Sequence, residues 1–313
     1  MNILIIGNHV SDTVPLEGMN HCFSVMVRAL REAFEAMPHV SVSLQSIGYE
    51  QPFRYDVLPN DLDLILFCGY IKEWYELDWG RIRRWAGEPL VYTLLEVPIT
   101  GGEWYPDHGF CFVQTGDRWA TTIHAPCVKS LYRNVPKENR IVIDHGWPCI
   151  IPQLQSDWTL QISEWLTDLK DEYAITRIVK YGKAKGLYHN HGMDEPATVK
   201  PHESMLFQTS VGKYLAATDT AETFVVTHTE SYGHSVIDMA ARGIRVVAPK
   251  GFLPERGLVD HFDIPTFETK DELLALVRSP VEARWNHMID RCTDYADVAR
   301  IIDDHFKGEG DAG

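Results

Sequence analysis

Apolar positions along this 313-residue chain follow two alternating rhythms. Short unbroken apolar runs, as in buried strands, alternate with stretches where apolar residues return every three or four positions, as in helices packed by one face. Residues 2–7 are the first run and end at Gly7. A polar loop, 9–18, leads to a helical stretch over 20–36, whose Phe23, Val27, Leu30 and Phe34 share a face. Residues 40–47 alternate as a strand, and 63–68 form a continuous apolar run like that of a parallel sheet covered on both faces. Runs at 90–95, 111–114 and 140–143 complete this series. Strands alternating with helices predict an α/β fold with a doubly wound parallel sheet.

The stretch Asp144-His145-Gly146-Trp147-Pro148 interrupts the rhythm, and Pro148 and Pro152 suit a linker. The pattern then restarts with a helix over 157–169 and a strand over 177–181. Residues 188–203, rich in His, Pro, Gly and acids, read as loop. A helix over 210–217, a strand over 224–227, a helix over 235–242 and a strand over 246–248 follow. A helical tract over 281–306 and a tail over 307–313, expected to fray, end the chain. The expected organisation is a first domain over 1–148, a second over 149–280, a C-terminal helix over 281–306 and the tail.

Ligands of doubly wound sheets gather outside the carboxyl ends of the strands. The loop after 224–227 is the most informative one. It runs Thr229-Glu230-Ser231-Tyr232-Gly233-His234-Ser235-Val236-Ile237-Asp238, then an apolar helix, Gly243 and a Val246-Val247 strand. Glu230 and Asp238 lie eight positions apart, about two helical turns plus a little. A helix beginning near Glu230 would carry both acids on similar faces. Either acid alone would be an ordinary exposed carboxylate; the combination is what points to a site.

This order of acid, small residue, aromatic, glycine, apolar helix and second acid resembles the signature of retaining GT-B glycosyltransferases of the family 4 type. Asp238 stands where that family usually has Glu. The resemblance is strongest over 205–275 and weaker over 1–30 and 135–186. It implies two Rossmann-like doubly wound domains facing a cleft, here with a short second domain and a C-terminal helix that crosses back onto the first. Glu230 would hold the donor sugar and Asp238 the nucleoside ribose, with Ser231, Tyr232 and Gly233 lining the donor phosphates. Gly182-Lys183 and Lys185-Gly186 resemble the family's diphosphate cations. Fixed positive charge there lowers the barrier as the leaving group gains negative charge, which makes Lys185 a catalytic candidate. Lys250, in Lys250-Gly251-Phe252-Leu253, would add another cation. Gly18, in Glu17-Gly18-Met19-Asn20-His21, takes the place of the family's Gly-Gly before the first helix, where helix amides favour a phosphate or hydroxyl. Glu96, after the strand over 90–95, is a candidate acceptor contact or base and equally a solvated strand-end carboxylate.

Other motifs are weaker. Asp61-Leu62-Asp63 matches a cation-binding DxD pattern, but before an apolar run it reads better as a turn and strand start. No cluster has metal-ligand spacing, so metal-independent chemistry with no cofactor is expected. There is no G-x-G-x-x-G fingerprint, P-loop or nucleophile elbow. Aromatics are dense at Trp74, Tyr75, Trp79, Trp85, Trp104 and Tyr105. Some belong to the core; in a cleft others would stack on a sugar ring or a flipped base.

The net charge of −15 argues against a general nucleic-acid binder, since phosphate contacts need clustered cations. Arg81, Arg83 and Arg84 form one small basic cluster, read as a solvated face, and Lys180, Lys183 and Lys185 another. Six cysteines without CxxC or zinc spacing suit a reduced, cytoplasmic protein. No apolar run is long enough to span a bilayer, and the N-terminus lacks the basic region of a signal peptide.

The resulting expectation is a glycosyltransferase moving a sugar from a nucleotide donor, UDP- or GDP-linked, to an acceptor hydroxyl with retention. The acceptor would be a glycan or small molecule, or a hydroxymethylated DNA base as in phage enzymes. The alternatives are a non-catalytic GT-B scaffold that binds a nucleotide or a partner, and a nucleotide-sugar epimerase.

Overall fold

Strand β1 (Asn2–Asn8) sits between β2 (Ser41–Ile47) and β3 (Leu64–Cys68), so that Ile5 pairs with both Leu44 and Leu66 in parallel register. The computed structural model describes residues 1–8, 14–19, 22–47, 52–69, 71–95, 99, 104–112, 120–145, 158–179, 203–207, 210–229, 233–253 and 255–310. The chain divides into two units, Met1–Val128 with Thr293–Gly313, and Lys129–Cys292.

The first unit is built on a parallel six-stranded sheet in the order β2-β1-β3-β4-β5-β6, with β4 at Leu90–Leu95, β5 at His108–Cys111 and β6 at Ala120–Thr122. Helix α1 (Cys22–Glu35) buries Met26, Val27, Leu30 and Phe34 and carries the pairs Arg28–Glu32 and Arg31–Glu35 at i,i+4 spacing. It packs directly on the β1 backbone: a Cβ at Gly7 would lie 2.4 Å from Val27 Cγ2. Helices α2 (Ile71–Glu76) and α3 (Trp79–Ala86) bring Trp74 and Trp79 onto Phe67, with the two indoles 4.1 Å apart. Asp78 caps α3 by accepting from the Arg81 amide. Asp63, in the DxD-like stretch, accepts from the Asn2 amide at 2.7 Å, as befits a strand start.

The second unit carries another parallel six-stranded sheet, in the order β10-β9-β8-β11-β12-β13. Its strands are β8 (Glu138–His145), β9 (Ala174–Val179), β10 (Glu203–Phe207), β11 (Ala221–Val225), β12 (Arg245–Pro249) and β13 (Thr266–Phe267). Helices α4 (Thr159–Leu166), α5 (Val211–Thr218), α6 (His234–Ala241), the single turn α7 (Asp260–Phe262) and α8 (Lys270–Arg278) connect them. The Thr269–Glu272 capping box starts α8. Glu203, read as loop from sequence, begins β10.

Three expectations are corrected here. Residues 140–143 do not close the first sheet. They lie in β8, at the centre of the second, with Ile141 paired to Ile175 on one side and Thr223 on the other. An apolar run buried on both faces carries no mark of which sheet it joins. Second, the helical tract over 281–306 is two pieces. A 3-10 stretch over Ala283–Arg291 ends at Cys292, and β14 (Thr293–Asp294) pairs with β7 (Pro126–Cys127). Asp294 then accepts from the Ala296 amide at 2.9 Å and opens α9 (Tyr295–Gly310), which belongs to the first unit and packs on α1. Third, the tail does not fray from residue 307: α9 continues to Gly310, and Glu309 accepts from the Tyr92 hydroxyl at 2.6 Å.

Candidate functional site

The second sheet contains a reversal in strand order. β9 and β10 extend to one side of β8, and β11, β12 and β13 to the other, so successive connections leave in opposite directions from the β8–β11 seam. The crevice at the carboxyl ends of such strands is where ligands of these sheets bind. At that edge β11 continues into buried Val226, Thr227 and His228. The Thr227 carbonyl accepts from the Trp158 amide at 2.6 Å, so the start of α4 is fastened to the exit of β11. The Phe252 ring, from the turn after β12, meets Trp158 edge-on at 5.0 Å. Neither contact was apparent from local sequence spacing, because each joins segments far apart in the chain.

Gly233 is the N-cap of α6, with φ 84°, ψ 60°. A side chain there would be strained by the positive φ, and a Cβ would also lie 3.0 Å from Leu258 Cδ1. Its carbonyl accepts from the amides of Val236 and Ile237 at 3.0 and 3.2 Å. The amides of His234 and Ser235 therefore lead the helix, at the end where the helix dipole favours an anion. The spacing expected between Glu230 and Asp238 involves Glu230, which lies outside the described residues. The helix begins at His234, beyond a left-handed glycine.

Asp238 lies in the second turn of α6, half-buried, and its Oδ1 accepts from the hydroxyl of Tyr132. Arg242, one turn further, is fully buried. Its guanidinium donates to the carbonyls of Asp238 at 2.9 Å and Leu215 at 3.1 Å and to Asp219 Oδ1 at 2.9 Å. Lys137 Nζ donates to the carbonyls of Asp219 and Arg242 at 2.8 and 2.9 Å, holding the C-terminal ends of α5 and α6 together. Burial lowers the Lys137 ammonium to about 8. This network anchors α6 from the end opposite to Gly233.

The remaining candidates are dispersed. Lys250 follows the last residue of β12, and its Nζ is 2.5 Å from Glu268 Oε1, both side chains being exposed. A carboxylate partner thus already faces the ammonium that was assigned to donor phosphate. Gly18 is in the first unit, at the end of a 3-10 turn over Leu16–Gly18, with its amide bonded to the Pro15 carbonyl at 2.9 Å. It precedes α1 by several residues and does not itself open the helix. Glu96, Lys183, Lys185, Glu230, Ser231 and Tyr232 lie outside the described residues. Among the described residues no group of three or more His, Cys, Asp or Glu could hold a metal ion, and no helix is long and apolar enough to cross a membrane.

No protein-family model matches the sequence, and no curated protein does. Solved structures do share its architecture. One is an alpha-glucosyltransferase in complex with UDP-glucose and DNA containing an abasic site, 12% identical with a TM-score of 0.61 over 98% of this chain and 99% of that one. Another is HepE from Anabaena in complex with UDP and glucose, 12% identical with a TM-score of 0.58 over 98% and 100%. A third is the UDP-GlcNAc 2-epimerase from Neisseria meningitidis bound to UDP-GlcNAc, 8% identical with a TM-score of 0.56 over 97% and 99%. At these identities the shared property is the fold, a two-domain Rossmann-like GT-B fold.

Proposed function

We propose that this GT-B chain is a glycosyltransferase that moves a sugar from a nucleotide donor to an acceptor hydroxyl, with retention and without a metal or other cofactor. The observation that carries the reading is the placement of Gly233 and Asp238. The left-handed glycine opens α6, and the acid stands in its second turn, directly after the strand at which the second sheet reverses its order. A helix mouth there suits a diphosphate, and an acid one turn further suits ribose hydroxyls. A UDP-linked donor is preferred to a GDP-linked one, because the similar structures named above hold UDP or UDP-sugars.

In the proposed reaction the bond between the anomeric carbon and the diphosphate oxygen breaks while the acceptor oxygen bonds the same face of that carbon. The acceptor proton passes to the departing phosphate. Glu230 holds the donor sugar, and Lys183 and Lys185 stabilise the charge on the leaving group. Glu96 is proposed to face the acceptor, which is a glycan, a small molecule or a hydroxymethylated DNA base.

A thermal-shift series with UDP, GDP, ADP and CMP tests the donor site. A ligand that binds only the folded state adds about 2.7 kcal/mol at 100 times its Kd. UDP should raise the midpoint in the wild type and not in Asp238→Ala; no shift with any nucleotide would reject the reading. The epimerase among the similar structures supports a second reading, epimerisation of the donor sugar. Conversion of UDP-sugar with no acceptor present, without release of UDP, would select it.

A further inference from the structure

The first unit carries an unusual surface around α3. Its described arginines Arg28, Arg31, Arg54, Arg83 and Arg300 are each paired with a carboxylate. Arg81 and Arg84 have no acidic partner among the described residues, although the chain holds 44 acids against 29 Lys and Arg. Both line an open depression of about 550 Å³ together with Asn60 and Trp85. Trp85 is 51% exposed, a high value for a tryptophan. The Arg81 guanidinium lies 4.3 Å from the Tyr55 ring centre and 5.8 Å from that of Trp85, so it is held in place by aromatic faces. The patch continues along α3, where Trp104, 41% exposed, comes within 3.0 Å of where a Gly80 Cβ would stand, and Arg84 Nη1 within 3.4 Å.

This surface is distinct from the strand ends at which a substrate would bind. α3 leads through Gly87 into the start of β4, and a Cβ on Gly87 would be 3.2 Å from the carbonyl of Asn60, just before β3. The depression therefore lies toward the amino ends of β3 and β4.

We infer that the Asn60–Arg81–Arg84–Trp85 surface docks a strand of single-stranded nucleic acid. Two guanidinium groups without an acidic partner among the described residues can bond phosphates, and an exposed indole beside them offers a stacking plane for a base. Asn60 adds an amide that can bond a base edge or sugar. The acidic remainder of the molecule repels a polyanion, which confines binding to this patch. The Asp78 carboxylate nearby is engaged as the α3 cap.

The inference does not depend on the transferase reading, because binding is measured without donor. Fluorescence anisotropy with labelled oligo-dT, repeated from low to moderate salt, gives affinity and salt slope. Arg81→Ala/Arg84→Ala should bind at least tenfold more weakly, with a slope shallower by about 1.4, two contacts at roughly 0.7 each. Trp85→Ala should weaken oligo-dT several-fold at unchanged slope and leave binding of heparin, a polyanion without bases, unaffected. Arg81→Lys/Arg84→Lys keeps the charge and should keep the slope, which guards against misfolding of the alanine variant. Wild-type affinity in both alanine variants would overturn the inference, as would an equal loss of heparin binding in Trp85→Ala.

Discussion

The hydroxyl of Tyr132 donates to the Asp238 carboxylate, joining the segment before β8 to the second turn of α6. The acid proposed to bind the nucleoside is thus held by a phenol more than a hundred positions away in sequence. A carboxylate offers about four acceptor positions, and the bond from Tyr132 takes one of them. Tyr132 therefore orients Asp238.

Tyr132→Phe should lower stability by about 1.5–3 kcal/mol, the usual contribution of a hydrogen bond to a charged group. It should also weaken UDP several-fold by calorimetry, whereas Asp238→Ala removes UDP binding. An unchanged UDP affinity in Tyr132→Phe would show that the orientation of Asp238 has no bearing on the nucleotide.

Gly233→Ala should destabilise the protein by about 1–2 kcal/mol, because an L side chain at φ 84° is strained and its Cβ meets Leu258. The helix mouth moves with it, so UDP binding should fall by more than stability alone explains. Urea unfolding and calorimetry on one preparation separate the two effects. A fully stable variant would contradict the left-handed cap.

Arg242→Leu should cost about 3 kcal/mol, since it strips Asp219 of its ion-pair partner and leaves the Leu215 and Asp238 carbonyls without their donor. The loss should appear in urea unfolding of the second unit, Lys129–Cys292. A loss below 1 kcal/mol would mean that water replaces the guanidinium.

In the first unit the imidazoles of His108 and His305 stack at 3.8 Å, with His108 Nε2 2.9 Å from Thr121 Oγ1 and His305 Nε2 3.4 Å from Glu309 Oε1. The rings of Tyr92 and Phe110 flank the pair. Burial first, and the neighbouring His305 second, lower His108 to about 4. The unfolded chain, with a value near 6.5, binds the proton more readily. Stability from this group is therefore complete above about pH 6.5 and is lost as pH falls toward 4, on the order of 2–3 kcal/mol in all. Melting curves between pH 7 and 5 should fall more steeply for the wild type than for His108→Phe; parallel curves would remove His108 as the cause.

Much of the fold was legible in order along the chain. The runs at 2–7, 63–68 and 90–95 are strands, and the three-four spacing of Val27, Leu30 and Phe34 is a helix, because burial of a face imposes those periods locally. Helices α2, α3 and α8 were not read from the sequence. At the candidate site Gly233 and Asp238 were found from their order. The partners that define their surroundings, Tyr132, Trp158 and Glu268, carry no local signal of that role.

What the sequence by itself determined is therefore the alternation of strands and helices, the glycine that opens α6 and the acid in its second turn. All of these are set by interactions within a few residues. Only the tertiary structure decided that β8 is the centre of the second sheet and that β14 interrupts the tract over 281–306 before α9. It alone paired Lys250 with Glu268 and Asp238 with Tyr132. Strand pairing and side-chain partnership are long-range choices among surfaces of like chemistry, and packing the whole chain is what selects one of them.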